Sequence, residues 1–499
     1  MKREIILNFI FTILTGILFF LQNKFFVEYM GIEILGIMNL FTQLLKYLNI
    51  VELGLGDAST FILYKPLAEK DYKQASIILS TIKNTYNKIA IVLFILGVLV
   101  TPLLPFFMKV KVFDKIIYIY WIFYILNTVS TYLFIKYVIL FTANQEFIYV
   151  RFIQSLSMII YQILQIFFII EFQSFILFII LLILDNLTQY ILFKRYFNKN
   201  YLFIFSTKER YKGLNKNIKN LFWHKIGGLV VLNTDLILVS KLVSIEIVGV
   251  YASYQLIVQM IKTFLYTIIK VLRPKIGRYI ALNSKDEIYK LFKQINIIFL
   301  LISLLLSYCS YILINFFVSL WIGKEYILSK FTVQLICINI FVLLFRSILD
   351  VFKDGSGFFD DIQSPILESI INLIFSIVLG IRYGLNGIIM GTIISNISII
   401  LIYKPILTFK RCFNQELKEY VKVYGNYLIL IIISLLSLNK IIKIFIVDEI
   451  NSWLNWILYS IKISIFTSIV LSIVFLLSKE FRSILKEIYY NFFKGVKNE

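Results

Sequence analysis

Apolar runs fill this chain, and their length rather than their periodicity sets the reading. Stretches of about 20 Ile-, Leu- and Phe-rich residues recur from end to end. A helix rising 1.5 Å per residue needs roughly that many to cross a ~30 Å hydrocarbon layer. Fourteen spans are predicted, near residues 5–27, 35–63, 89–108, 116–141, 149–170, 174–193, 222–242, 247–269, 294–321, 331–350, 364–382, 385–403, 424–446 and 453–477. They are apolar all round, unlike the one-sided stripe of a soluble helix. Nor do they alternate over ~10 residues as membrane barrel strands do. The expected fold class is an all-α polytopic membrane protein.

Composition agrees. Hydrophobic residues make up 60% of the 499, aromatics 17% and charged residues 16%, with a mean hydropathy of +0.85. A globular domain is ~45–50% apolar and ~25% charged, so a soluble enzyme, a nucleic-acid binder and a disordered chain are poor readings. The formal charge of +21 is unevenly placed. With both termini inside, about 35 of the 50 basic residues fall in cytoplasmic segments, the 194–225 and 270–293 stretches being the richest. That satisfies the positive-inside rule and lays a basic rim against anionic lipid. Met1-Lys2-Arg3 runs straight into the first apolar stretch, which Gln22, Asn23 and Lys24 follow instead of a small-residue cleavage site. It reads as a retained span.

Other chemistry is sparse. Cys309, Cys337 and Cys412 are scattered singly and His224 is the one histidine, which suggests neither a zinc site, a disulfide framework nor a His-based triad. No metal or organic cofactor is expected. The loops opposite the basic side are too short to fold as a catalytic domain of ~50 residues.

An internal repeat stands out. Ile32-Glu33-Ile34-Leu35-Gly36-Ile37 opens the second span and Ile245-Glu246-Ile247-Val248-Gly249-Val250 the eighth. Six helices separate the copies, so both enter the membrane in the same sense, as in a parallel repeat with its substrate site between the halves. The bounds expected are a six-helix bundle over 1–196, a basic linker over 197–221, a second six-helix bundle over 222–405, and two added helices with a basic tail over 406–499.

Charges deep in lipid are expensive and mark candidate sites. Lys46 lies about 13 residues into the second span and Lys262 about 15 into the eighth, each ~20 Å from its entry face. Facing a wet cleft, they would bind an anionic headgroup such as pyrophosphate. Snorkelling or a carboxylate partner, Glu52 for Lys46, is the competing account. Asp185 and the Asn233-Thr234-Asp235 triplet are candidates for cavity polarity or ion coupling, against interhelical polar packing. Lys24–Glu28 and Arg346–Asp350 are spaced as i,i+4 pairs, with a substrate role left open for Lys24. Lys136, Glu368 and Arg382 read as interface anchors.

Three segments carry a resemblance. Tyr29-Met30-Gly31-Ile32-Glu33-Ile34-Leu35-Gly36-Ile37 with Glu52-Leu53-Gly54-Leu55-Gly56-Asp57 resembles the first helical pair of polysaccharide repeat-unit flippases. Asn233-Thr234-Asp235-Leu236-Ile237-Leu238 leading to Val248-Gly249-Val250-Tyr251 resembles the start of their second half, and Gly384-Leu385-Asn386-Gly387-Ile388-Ile389-Met390-Gly391-Thr392 their later glycine-rich helix. These Wzx-like flippases share an exporter superfamily with multidrug extruders and peptidoglycan-precursor flippases.

The resemblance implies two six-helix bundles around a central cavity lined by the first, second, seventh and eighth helices, where Lys24, Lys46, Asp235 and Lys262 fall. It implies translocation of undecaprenyl-pyrophosphate-linked oligosaccharide units, as in O-antigen or capsule synthesis, across a bacterial cytoplasmic membrane. Lys24, Lys46 and Lys262 would hold the pyrophosphate, and an ion such as H+ or Na+ or the membrane potential would bias alternating access. The expected partners are membrane lipid, the lipid-linked glycan, and the polymerase and glycosyltransferases of its pathway, with the chain acting as a monomer and not as an enzyme. The alternatives are a multidrug or cation exporter, a peptidoglycan-precursor flippase, and a membrane polysaccharide polymerase or ligase.

Overall fold

The computed structural model describes residues 2–52, 55–109, 114–211, 234–358, 363–442 and 449–495. His224, Gly227-Gly228, Asn233, Gly54 and most of the basic stretch after Tyr211 lie outside them. Among the described residues the chain is helical throughout, with no strands. It divides into two compact units, Met1–Ala252 and Ser253–Glu499.

The first unit holds α1 (Lys2–Met30), α2 (Ile32–Leu48), α3 (Leu55–Ala68), α4 (Tyr72–Val100), α5 (Leu104–Phe107), α6 (Ile116–Thr131), α7 (Ile135–Ala143), α8 (Phe147–Phe172), α9 (Phe175–Asn200) and α10 (234–242). Helix α11 (Ile245–Leu282) begins in this unit and continues into the second. There follow α12 (Lys285–Trp321), α13 (Lys330–Gly355), α14 (Gln363–Ser395), a π-helical stretch Asn396–Tyr403, α15 (Lys404–Phe413), α16 (Leu417–Ile442), α17 (Trp453–Phe475) and α18 (Lys479–Gly495).

Ten helical stretches among the described residues are long and apolar enough to cross a membrane. One of them, Gln363–Cys412, supplies two spans, because α14 leaves helical geometry at Gly384 (φ 58°, ψ −135°). The chain then returns antiparallel: Asn372 donates to Thr392 Oγ1 at 3.0 Å and Ser376 Oγ to Ile388 O at 3.1 Å. Gly387 and Gly391 let the two arms touch backbone to backbone, since a Cβ there would lie 2.0 Å from Leu379 O or 2.3 Å from Ser376 N. Small residues serve this purpose between membrane helices. With α1, the α2–α3 pair and the segment ending in α10, the architecture accords with about fourteen spans.

Caps fix several starts: Asp71 accepts from Gln74 N, Ser284 and Glu287 form a reciprocal capping box, and Ser329 and Ser452 cap α13 and α17. Each satisfies amides a helix start leaves without partners. Outward faces are apolar, with Ile91, Leu99, Ile163, Phe167, Ile374 and Leu454 among the exposed side chains. A lipid solvent accounts for that face.

Two spans of the first unit are interrupted where the sequence predicts continuity. The 35–63 span breaks after Leu48 into a 3-10 turn over Asn49–Glu52 before α3 resumes, and the 116–141 span breaks at Tyr132–Phe134 between α6 and α7. The breaks meet: the Tyr132 hydroxyl donates to Glu52 Oε2 at 2.8 Å and also faces Asn49 Oδ1.

Candidate functional site

The residue after Lys46 meets the residue before Asp235. Tyr47, in the last turn of α2, shares a 2.8 Å hydrogen bond with Thr234, which opens α10, and the charge of Asp235 acts on the Tyr47 hydroxyl. The far end of α10 is also held. Ser240 Oγ donates to Phe107 O at 2.7 Å, Lys109 N to Ser240 O at 3.0 Å, and the Lys109 ammonium to Leu242 O at 3.1 Å. Lys241 Nζ lies 3.6 Å from the Phe106 ring centroid, a cation over an aromatic face.

Lys46 itself is exposed, and its candidate pairing with Glu52 is not made. Glu52 instead accepts from Asn49 Nδ2 at 2.9 Å and from Tyr132. Six residues on from Lys46, Glu52 would lie off the Lys46 face even in a continuous helix, and the 3-10 turn sets it against Asn49. Lys24 is half-buried on α1 and Glu28 exposed, and among the described residues the two form no ion pair. Lys262 is half-buried on the part of α11 that belongs to the second unit.

Asp185 sits in a polar seam where α8 and α9 pack. It accepts from Gln189 Nε2 at 3.0 Å and from the Ser157 hydroxyl. The next residue, Asn186, donates to Asn127 Oδ1 and to Ser130 Oγ, both at 2.9 Å, and about one turn from Asp185, Tyr161 meets Thr188 at 2.8 Å. Gln22 of α1 donates to Gln165 of α8 at 2.7 Å. These bonds stitch α1, α6, α8 and α9 through lipid-depth interior, where polar side chains serve as interhelical glue.

The second unit holds an ion cluster that the sequence reading assigned otherwise. Glu368 is not an interface anchor but a buried carboxylate between Arg346 Nη1 at 3.6 Å and Lys404 Nζ at 3.9 Å. The Arg346–Asp350 pair expected from spacing is present at 3.7 Å. Glu368 escaped because its partners lie 22 residues before and 36 after it. The Asn49–Glu52–Tyr132 contact had a visible signal: two polar residues three apart interrupt the 35–63 run.

No protein-family model and no curated relative matches the sequence. Solved structures do. The lipid II flippase MurJ in an inward closed conformation aligns over 96% of this chain and all of its own, with a TM-score of 0.67 at 17% identity. A multidrug resistance MATE transporter of the MOP superfamily, inward-facing, aligns over 82% of this chain and 96% of its own, with a TM-score of 0.61 at 12% identity. The MATE multidrug transporter DinF-BH covers 83% and 96%, at 0.57 and 16%. The chain has the fold of these transporters. Those matches are to a flippase and to exporters, and the MurJ match takes in nearly the whole chain.

Proposed function

We propose that the protein is a lipid-linked oligosaccharide flippase, moving undecaprenyl-pyrophosphate-linked repeat units from the cytoplasmic to the outer leaflet of a bacterial inner membrane, both termini inside. The observation that carries this is coverage. MATE transporters match 82–83% of the chain, close to the share its first twelve spans occupy, whereas the lipid flippase matches 96%. The larger share leaves room for the added helices α16 and α17 in the match to a flippase of lipid II, which supports a lipid-linked cargo. Lys24, Lys46 and Lys262, on the first, second and eighth spans, suit a diphosphate better than an organic cation. No bond is made or broken in the substrate; the task is to carry a polar headgroup through a hydrated path while the tail stays in lipid.

The likeness to MurJ also favours a second reading, a peptidoglycan precursor as cargo, which shares the diphosphate and tail and differs in the sugar. Proteoliposomes containing the full chain and either glycolipid separate the two: the cargo whose sugar becomes accessible on the opposite leaflet is the substrate. Replacing Lys46 and Lys262 together by Ala is expected to abolish that movement. Unchanged transport would remove the headgroup role, and export of a cationic dye without glycolipid movement would replace the flippase reading by an exporter.

A further inference from the structure

Three cations of the first unit come together: Lys83 of α4, Lys136 of α7 and Lys194 of α9. Ring contacts fix where they meet. The Tyr137 and Tyr190 rings lie 6.3 Å apart, and each carries an ammonium. Lys136 Nζ stands 4.5 Å from the Tyr137 centroid and Lys194 Nζ 5.6 Å from that of Tyr190. On the α4 side, Trp121 Nε1 donates to Gly97 O at 2.9 Å, and the Tyr86 and Tyr132 rings are 5.8 Å apart. Gly97 thus faces Trp121 and Tyr86 faces Tyr132, an antiparallel register that sets Lys83 beside Lys136. The charges of Lys83 and Lys194 both bear on the Lys136 ammonium.

Like charges crowded at a membrane edge call for an anion. Among the described residues none of the three lysines forms an ion pair or a hydrogen bond. The segments 110–113 and 212–233, outside those residues, contain no Asp or Glu. The two rings offer only cation–π attraction, which is weak against a full charge. Lys136 lies near the end of the 116–141 span and Lys194 directly follows the 174–193 span, the level at which lipid headgroups begin. Lys136 is half-buried, whereas Lys83 and Lys194 are exposed and open to a ligand. Three residues further into the bilayer on each of two stretches, Leu133 and Ile191 expose apolar side chains. Ammonium groups above an apolar flank match a lipid, with its phosphate outside and its chains within.

We propose that Lys83, Lys136 and Lys194 form a binding site, between α4, α7 and α9, for the phosphate group of an anionic lipid. Lysine holds phosphate as a compact point charge with three donors, and basic pockets between helices on the cytoplasmic side take anionic headgroups. Two lipids carry that chemistry: a phospholipid of the leaflet, and the diphosphate carrier of the proposed cargo. The site is apart from Lys24 and Lys46. Its assignment to the cytoplasmic leaflet rests on the orientation proposed above; the lysine cluster itself does not.

The test reads binding and not transport, so its failure leaves the flippase reading standing. Purified full-length protein, stripped of lipid in a neutral detergent, is titrated with phosphatidylglycerol, undecaprenyl diphosphate, phosphatidylcholine and inorganic pyrophosphate. Native mass spectrometry counts the bound molecules, and the unfolding midpoint is followed in parallel. One phosphatidylglycerol or one undecaprenyl diphosphate is expected to bind per chain in preference to phosphatidylcholine, and the tighter of the two names the source. Lys136→Gln should weaken that binding about tenfold, Lys136→Arg should retain it, and Lys83→Gln, Lys136→Gln and Lys194→Gln combined should abolish it. Lys73→Gln, also on α4, should bind as wild type does. Without lipid the triple variant should melt no lower than wild type, because it relieves repulsion and removes no partner. A lower midpoint would give the lysines a structural role and overturn the site. So would equal affinity for phosphatidylcholine, pyrophosphate binding as tight as either anionic lipid, or undiminished lipid binding in the triple variant.

Discussion

Gly36 and Gly249 occupy the same position in the two copies of the Ile-Glu-Ile-x-Gly repeat, and each lies against the backbone of the other copy. A Cβ on Gly36 would stand 2.1 Å from Ile245 O, and one on Gly249 2.3 Å from Ile32 O. The contact is reciprocal, as a local two-fold relation demands: the fifth residue of each copy meets the first residue of the other. The repeat noticed in the sequence is thus a surface that recognises itself.

Alanine at either glycine should therefore be costly. Overpacking by one methyl group typically costs about 1–3 kcal/mol, and backbone carbonyls cannot swing away as side chains do. Gly36→Ala and Gly249→Ala should each lower the unfolding midpoint in detergent, and the double variant should lose less than the two losses combined, because both open one contact. Midpoints equal to wild type would mean the helices part without penalty.

Glu368 neutralises a buried guanidinium and a buried ammonium. Removing one partner of such a cluster leaves charge uncompensated and costs about 3–5 kcal/mol. Glu368→Ala is expected to reduce the yield of folded protein sharply, while Asp350→Ala, whose side chain is 30% exposed, should cost less. Comparing monodisperse yield and melting for the two variants checks the ranking.

The turn at Gly384 depends on a conformation that side chains rarely adopt. Gly384→Ala should cost about 1–3 kcal/mol of backbone strain, whereas the cost of Gly387→Ala is a direct clash with Leu379 O. Thermal melts of the two variants should both fall, with Gly387→Ala the lower because its methyl would press on Leu379 O.

Asp185 offers a separate check. Its contacts require an acceptor, which Asn retains and Ala does not. Asp185→Asn should hold the unfolding midpoint near wild type, whereas Asp185→Ala strands Ser157 and Gln189 at about 1–3 kcal/mol. Transport lost in Asp185→Asn at unchanged stability would assign the carboxylate to ion coupling instead of packing.

The spans were legible because a membrane imposes one strong requirement, length of apolar run, that is read without knowing any neighbour. The Gly384 hairpin was legible too, since Arg382 to Gly384 divides two such runs. The breaks at Asn49–Glu52 and Tyr132–Phe134 were not. Asn49 and Glu52 mark the first as polar positions in an apolar run, but the contact that joins the two breaks lies between positions 80 residues apart. Likewise Arg346–Asp350 followed from helical spacing, while Glu368 and Lys404 joined it through tertiary packing alone. Lys24 and Glu28 show the limit of spacing: four residues apart on one helix, they form no ion pair among the described residues.

Because two neighbouring helices lose regular hydrogen bonding at one level, the first unit contains a stretch of main chain less committed than the rest of its interior. Its amides should be the earliest in that interior to trade protons for deuterons. A small amphipathic compound able to engage those groups would find a foothold there that uninterrupted helices deny, which makes this level of the unit a natural place to seek inhibitors.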